Sequence, residues 1–164
     1  FTTWLNFRFA AKQAASIHKA LVNLLPDKVG GLDENFKRLN EKLMTLNKKM
    51  EGISSKIDNQ VLIASHPVYQ YLEQGYGLKM ISKHWEPDEM PSEEMWDDLG
   101  KTINDHQESI MVWEDEPLNE IKLKLEGLNV LIVVFNPCAN KPVTGDFLDV
   151  MNKNIQQLAQ AING

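Results

Sequence analysis

The feature that most constrains this chain is the alternation of four short apolar runs with four helical patterns. The runs are QVLIA (60–64), LKMIS (78–82), SIMVWE (109–114) and NVLIVVF (129–135). They are rich in β-branched and aliphatic residues and almost continuously apolar, which is typical of strands covered on both faces. Because a helical pattern follows each run, the connections are expected to be right-handed crossovers within a parallel sheet. We therefore predict an α/β fold, a four-stranded parallel sheet flanked by helices.

The first 57 residues have a helical period instead. One amphipathic helix begins after Asn6, a suitable N-cap, and Pro26 ends it. A second apolar stripe then alternates steps of four and three, through Leu32, Phe36, Leu39, Leu43, Leu46, Met50, Ile53 and Ile57. We predict a helical segment over 1–57, with a long helix over about 30–57, ahead of an α/β lobe over 58–164. The stripe fits a helix lying along the domain, which we favour, and also a coiled-coil dimerisation module.

Composition excludes several classes of function. The chain has 164 residues and a formal net charge of −6, without a basic block. We expect no nucleic-acid partner, because phosphate binding needs clustered Lys and Arg. No apolar run approaches the roughly 20 residues that span a bilayer. Cys138 is the only cysteine in the sequence, which therefore offers neither an internal disulfide nor the thiol pair of a structural zinc site.

Polar side chains, several of which can bind metals, follow every predicted strand. They are His66 after the first run, Lys83, His84 and Glu86 after the second, Glu114, Asp115 and Glu116 after the third, and Asn136, Cys138 and Asp146 after the fourth. In open α/β sheets, ligands bind outside the carboxyl ends of the strands, so four loops would project these groups toward one rim. Imidazole with carboxylate, without thiolate, suits zinc, manganese or ferrous iron.

Simpler roles exist for the same residues. His66 could cap the helix that it precedes, although its position just past a buried strand favours a ligand. Asp146 could be the N-cap of the last helix, and one carboxylate could serve as both cap and ligand. Glu114 and its two acidic neighbours could stabilise the dipole of the following helix, or one of them could orient a histidine.

Five segments carry a family resemblance. They are TWLNFRFAAKQAASIHKAL (3–21), SHPVYQYLEQGYGLKM (65–80), EPDEMPS (86–92), VWEDEPLNEIKLKLEGLNVLIVVFNP (112–137) and GDFLDVMNKNIQQLAQAI (145–162). In this order they resemble motifs of the metal-binding proteins that feed bacterial zinc and manganese ABC importers. These are the cluster A-I solute-binding proteins, which include adhesin-like lipoproteins. The hallmark segment is the second, with its Ser-His pair and its Tyr-Gly-Leu ending.

The resemblance implies an architecture and a location. In such proteins two α/β lobes are joined by one long rigid helix, and the metal lies between the lobes. Residues 30–57 would be the connecting helix and 60–164 the C-terminal lobe, whereas the N-terminal lobe would be missing from this sequence. A periplasmic or other extracytoplasmic location is implied as well.

The resemblance also implies metal ligands. The family histidine that precedes the Trp-Leu pair falls at Thr2, a poor zinc ligand, so that part of the site is altered or lost. His66 falls on the third family ligand, which is usually His or Glu. The fourth ligand, a carboxylate, falls on Asp146 if a one-residue gap is assumed. We therefore predict His66 and Asp146 as ligands of a weak site completed by water.

The favoured function is the substrate-binding component of an ABC importer for zinc, with manganese as the alternative metal. It would catalyse nothing and need no catalytic cofactor. Its partners would be the metal, a membrane permease and, through the face left by the missing lobe, a second copy bound by aromatic residues of FTTWLNFRF. A metal-dependent hydrolase with Glu114 or Glu116 as general base is one alternative, although no H-E-x-x-H or G-x-S-x-G motif occurs. An interaction module built on residues 32–57 is the other.

Overall fold

The computed structural model describes residues 2–57, 60–106 and 110–163, and in these ranges helices and strands alternate after a helical start. The helices are α1 (Phe7–Leu24), α2 (Val29–Ser54), α3 (Gln70–Tyr76), α4 (Glu93–His106), α5 (Asn119–Gly127) and α6 (Phe147–Asn163). The strands are β1 (Val61–Ala64), β2 (Lys79–Ser82), β3 (Ile110–Trp113) and β4 (Leu131–Val134). Within the described ranges, every helix is either too short or too polar to span a lipid bilayer.

The strands form one parallel sheet in the order β2-β1-β3-β4. This confirms the predicted four-stranded parallel sheet flanked by helices. The central strands are covered on both faces, as expected, but β2 and β4 lie at the edges and are partly exposed, with Leu131 at 52%. An apolar run alone does not distinguish an edge strand from a central one. Ser109, the first residue of the third predicted run, lies outside the described residues.

Helices cover the sheet on both faces, because successive side chains of a strand point to opposite sides. Leu62 and Val112 belong to one apolar cluster, which α2, α3 and α6 complete. Ile63 and Met111 belong to the other, which contains residues of α4 and α5 together with Trp85. The sheet is therefore the middle layer of three, and its carboxyl edge stays open to the loops.

The predicted long helix is α2, and only its C-terminal half is well buried. Leu46 and Met50 are in the same cluster as β1, so the helical segment shares a core with the sheet. The N-terminal half of α2 faces α1 across an apolar groove of about 590 Å³ that reaches solvent, where Ile17 is 61% exposed. The predicted boundary between helical segment and lobe, at residue 58, lies outside the described residues.

Local capping follows the sequence. The Asn6 side chain accepts a hydrogen bond from the Arg8 backbone N–H at 3.2 Å, which confirms Asn6 as the N-cap of α1. Ser92 Oγ accepts from the Met95 backbone N–H at 3.3 Å at the start of α4. Both residues have short side-chain oxygens that reach the unpaired N–H groups of a first turn.

Candidate metal centre

The N-terminal segment lies across the carboxyl edge of the sheet. The Thr2 hydroxyl donates a hydrogen bond to the carbonyl of Val68, in the loop after β1. Trp4 Nε1 donates to the carbonyl of Pro137, in the loop after β4, at 2.7 Å. Thr2 is buried there, next to the loop that carries His66. The position at which the resembling family has a histidine is therefore part of this edge, but its hydroxyl is already hydrogen-bonded.

Main-chain hydrogen bonds beyond the strands fix the loop that contains His66. The Ser65 N–H donates to the Val112 carbonyl, and the Trp85 N–H donates to the Ser65 carbonyl, both at 2.8 Å. The first turn of α3 begins only at Gln70, and its N-cap position is occupied by Tyr69. His66 thus lies too far upstream to cap α3, and its imidazole is held at the sheet edge instead.

His66, Glu86 and Glu114 converge at this edge. Each offers one ligand atom within 4.8 Å of those of the other two. His66 Nδ1 lies 3.4 Å from Glu86 Oε1. The strand order explains the grouping, since β1, which precedes His66, lies between β2, which precedes Glu86, and β3, which precedes Glu114. The His84 ring stands edge-on to the His66 ring, with centroids 5.9 Å apart.

The electrostatics of this cluster favour a bound cation. Burial raises the pKa of Glu114, the charge of His66 would lower it, and the charges of Glu86 and Asp115 raise it further. His66 Nδ1 is buried and forms no hydrogen bond with any residue that the structure describes. A desolvated carboxylate and an unsatisfied imidazole nitrogen both gain from a cation between them.

Asp146 has a different environment. Its Oδ1 accepts hydrogen bonds from the backbone N–H groups of Leu148 at 2.8 Å and Asp149 at 3.1 Å. Asp149 Oδ2 accepts in return from the Asp146 N–H at 2.9 Å, so the pair forms a reciprocal cap of α6. Asp146 is outside the cluster of three. The cap expected as its simpler role is present, and its role as a ligand stays a prediction.

Two of the acidic residues after β3 have positions that bear on the simpler roles considered for them. Glu116 Oε2 pairs with Lys122 Nζ of α5 at 2.6 Å. Glu114 lies outside the first turn of α5, whose acidic residue is Glu120, so it does not serve that helix dipole. The sequence placed Glu86 and Glu114 at the rim without selecting them as ligands. The missing information was the strand order, which makes their loops neighbours of the His66 loop.

Comparisons with known proteins agree with this architecture. The metal-dependent lipoprotein YcdH from Bacillus subtilis has a TM-score of 0.89 and 22% identity, over 97% of this chain and 62% of that chain. The Zn(II)-bound ZnuA-like domain of Streptococcus pneumoniae AdcA has a TM-score of 0.89 and 24% identity, over 99% and 64%. A ZnuA crystal structure has a TM-score of 0.76 and 20% identity, over 99% and 61%.

At these identities the likeness shows the fold, and the chain spans less than two thirds of the length of each of these relatives. A comparison with curated proteins finds no match. The family model described as zinc-uptake complex component A, periplasmic (ZnuA), matches residues 2–161, which is nearly the whole chain. This chain therefore belongs to the ZnuA family.

Proposed function

We propose that this protein is the metal-binding component of an ABC importer and that zinc is its substrate. The observation that carries the proposal is the convergence of His66, Glu86 and Glu114 at the carboxyl edge of the sheet, in a chain of the ZnuA family. The Zn(II) bound by the AdcA domain supports zinc by analogy. Periplasmic or extracytoplasmic location and delivery to a membrane permease belong to the same proposal.

His66 is the central ligand in this proposal. Its neutral imidazole would donate one nitrogen, and its backbone is fixed by the hydrogen bonds of Ser65, so little ordering is needed on binding. Asp146 is proposed as a further ligand on the strength of the resemblance alone. Thr2, in place of a histidine, would leave the site weaker than one with a full set of imidazoles.

The long helix within the helical segment over 1–57 would connect this lobe, over 58–164, to a second lobe that closes over the metal. Exposed apolar residues of α1 and α2, such as Ile17, face the solvent there. Self-association through the aromatic residues of the N-terminal segment is disfavoured, because Phe7 is fully buried and Trp4 is hydrogen-bonded to the Pro137 carbonyl. Phe1 lies outside the described residues.

Isothermal titration calorimetry with Zn²⁺ and Mn²⁺ tests the proposal. We expect one zinc ion per chain, bound more tightly than manganese, as the ordinary affinity series requires. His66→Ala should weaken zinc binding at least about tenfold, because losing even a residue that only orients a metal ligand costs about this much in affinity. The control His18→Ala changes an imidazole that pairs with Asp33 on the α1–α2 face. It should bind zinc normally.

Three outcomes would contradict the proposal. Equal zinc affinity in His66→Ala and the control would remove His66 from the site. Absence of heat with either metal, together with a dimer that persists in a chelator, would favour the helical interaction module. Zinc-dependent turnover of a phosphate or peptide ester would favour the hydrolase.

A further inference from the structure

We propose that Glu86 and Glu114 bind the metal directly together with His66, so that this chain provides a three-ligand site from its own loops. The inference rests on the proposed function and deepens it, because it names the residues that hold the metal. Neither glutamate was predicted as a ligand from the sequence. Both are distinct from Thr2 and Asp146, the positions on which ligands of the resembling family fall.

The backbone of the site is held rigidly by the core beneath it. Glu86 directly follows Trp85, and Glu114 directly follows Trp113; both tryptophans are buried, and their rings pack with centroids 6.1 Å apart. The Leu118 N–H donates to the Pro87 carbonyl at 3.0 Å, which joins the loop after β2 to the loop after β3. Carboxylates carried by a fixed backbone form a preorganised site.

The distances fit a small cation. Ligands about 2.0–2.2 Å from a tetrahedral zinc lie about 3.4 Å from each other. The separation of His66 Nδ1 from Glu86 Oε1 is 3.4 Å, and all three ligand atoms lie within 4.8 Å of one another. The Glu86 carboxylate is 47% exposed and is free to rotate toward a cation at this position.

The hydrogen-bonding state of His66 adds to the argument from distances. Its Nδ1 is buried, yet it has no hydrogen bond to the described part of the chain, although a carboxylate oxygen is nearby. Buried polar atoms in native proteins are nearly always satisfied. A metal at this nitrogen would satisfy it and would also separate two carboxylates that otherwise face each other.

The donor set has a consequence for metal choice. One imidazole nitrogen and two carboxylates form an oxygen-rich set, which suits manganese better than a set of imidazoles does. The two glutamates would thus compensate for the histidine that Thr2 replaces, but they would reduce the discrimination between zinc and manganese.

Crystals of the protein soaked in Zn²⁺, with anomalous diffraction at the zinc edge, test the inference directly. We expect the metal peak at about 2.0–2.2 Å from His66 Nδ1 and from one oxygen of each glutamate. A peak that neither glutamate can reach, with His66 still bound, would overturn the inference and leave the proposed function intact.

Calorimetry gives a second measurement. Glu86→Gln and Glu114→Gln should each weaken zinc binding at least about tenfold. Glu89→Gln makes the same charge change at an exposed position in the loop that contains Glu86 and should have no such effect. If Glu86→Gln and Glu114→Gln bound zinc as tightly as Glu89→Gln, the inference would be refuted. Full zinc binding by His66→Ala would refute the proposed function itself.

Discussion

Replacing Tyr76 by phenylalanine tests the polar junction that joins α1, α2 and α3. The buried Tyr76 hydroxyl accepts a hydrogen bond from the Phe7 N–H and donates one to Asn47 Oδ1, each at 3.1 Å. The Phe7 N–H belongs to the first turn of α1, where the helix has no internal acceptor. The Tyr76 ring also packs on the Phe7 ring, with centroids 6.2 Å apart, and this contact survives the substitution.

The expected loss follows from the two groups that the substitution leaves without a partner. Phe7 is 0% and Asn47 only 2% exposed, so water does not readily replace the hydroxyl. A buried donor or acceptor left unsatisfied costs about 1–3 kcal/mol. With two such groups, Tyr76→Phe should lower the free energy of unfolding by about 2–6 kcal/mol. For a chain of this size, each kcal/mol lowers Tm by about 2–4 °C.

Urea unfolding followed by circular dichroism measures this loss, and its pH dependence gives an independent check. Burial raises the pKa of Tyr76 from 10.0 to about 12. Because the neutral phenol is favoured in the folded state, its contribution is complete below pH 10 and is lost as the pH rises toward 12. Tyr76→Phe should lack this part of the alkaline loss of stability.

The control is Tyr71→Phe, which removes a hydroxyl that has no hydrogen bond within the described ranges of the chain. Its ring packs edge-on against Phe9 and keeps that contact. We expect a change within about 0.5 kcal/mol. If Tyr76→Phe were as mild as this control, the buried junction would contribute nothing and the reasoning would be wrong.

Three further substitutions separate local roles. Asp146→Asn keeps a good N-cap but removes the carboxylate, so calorimetry should show weaker zinc binding if the predicted ligand is correct, and unchanged binding would exclude it. The hydrogen bond from Lys83 holds the pKa of Asp98 below its usual 3.8, so this contribution to stability is present above pH 3.8 and lost on acidification. In Asp98→Asn the free energy of unfolding should therefore fall less steeply as the pH is lowered. An acid titration that matches the parent protein would contradict this. In Gly75→Ala the new Cβ would lie 2.9 Å from the Asn6 side chain. Displacing that cap should lower the free energy of unfolding in urea by about 1 kcal/mol. An unchanged value would mean that the Asn6 side chain can move without losing its capping hydrogen bond.

The Tyr-Gly-Leu part of the resembling motif has a structural explanation. Tyr76 forms the buried junction, Gly77 ends α3 in the left-handed conformation with φ of 67°, and Leu78 enters the core. A side chain at Gly77 would be strained there. These three residues stabilise the fold. His66, ten positions before Tyr76, is the residue of the motif that lies at the metal-capable edge.

Much of the fold could be predicted because its causes are local in sequence. The apolar runs specify strands, the four-and-three spacing specifies α2, and Asn6 and Ser92 cap helices with their own side chains. Alternation of strand and helix was enough for a parallel sheet, since crossover connections leave few other arrangements. The strand, helix and cap predictions need only neighbours within about one helical turn or one strand.

The site depended on contacts that no local pattern specifies. The order β2-β1-β3-β4 pairs strands that are distant in sequence, and the position of β1 between β2 and β3 brings the loops carrying Glu86 and Glu114 to either side of His66. The same order leaves β4 partly exposed although its run is as apolar as the central ones. The sequence by itself determined which elements form and which residues lie at the carboxyl edge. The tertiary structure decided which of those residues meet, because strand order is chosen by packing over the whole core.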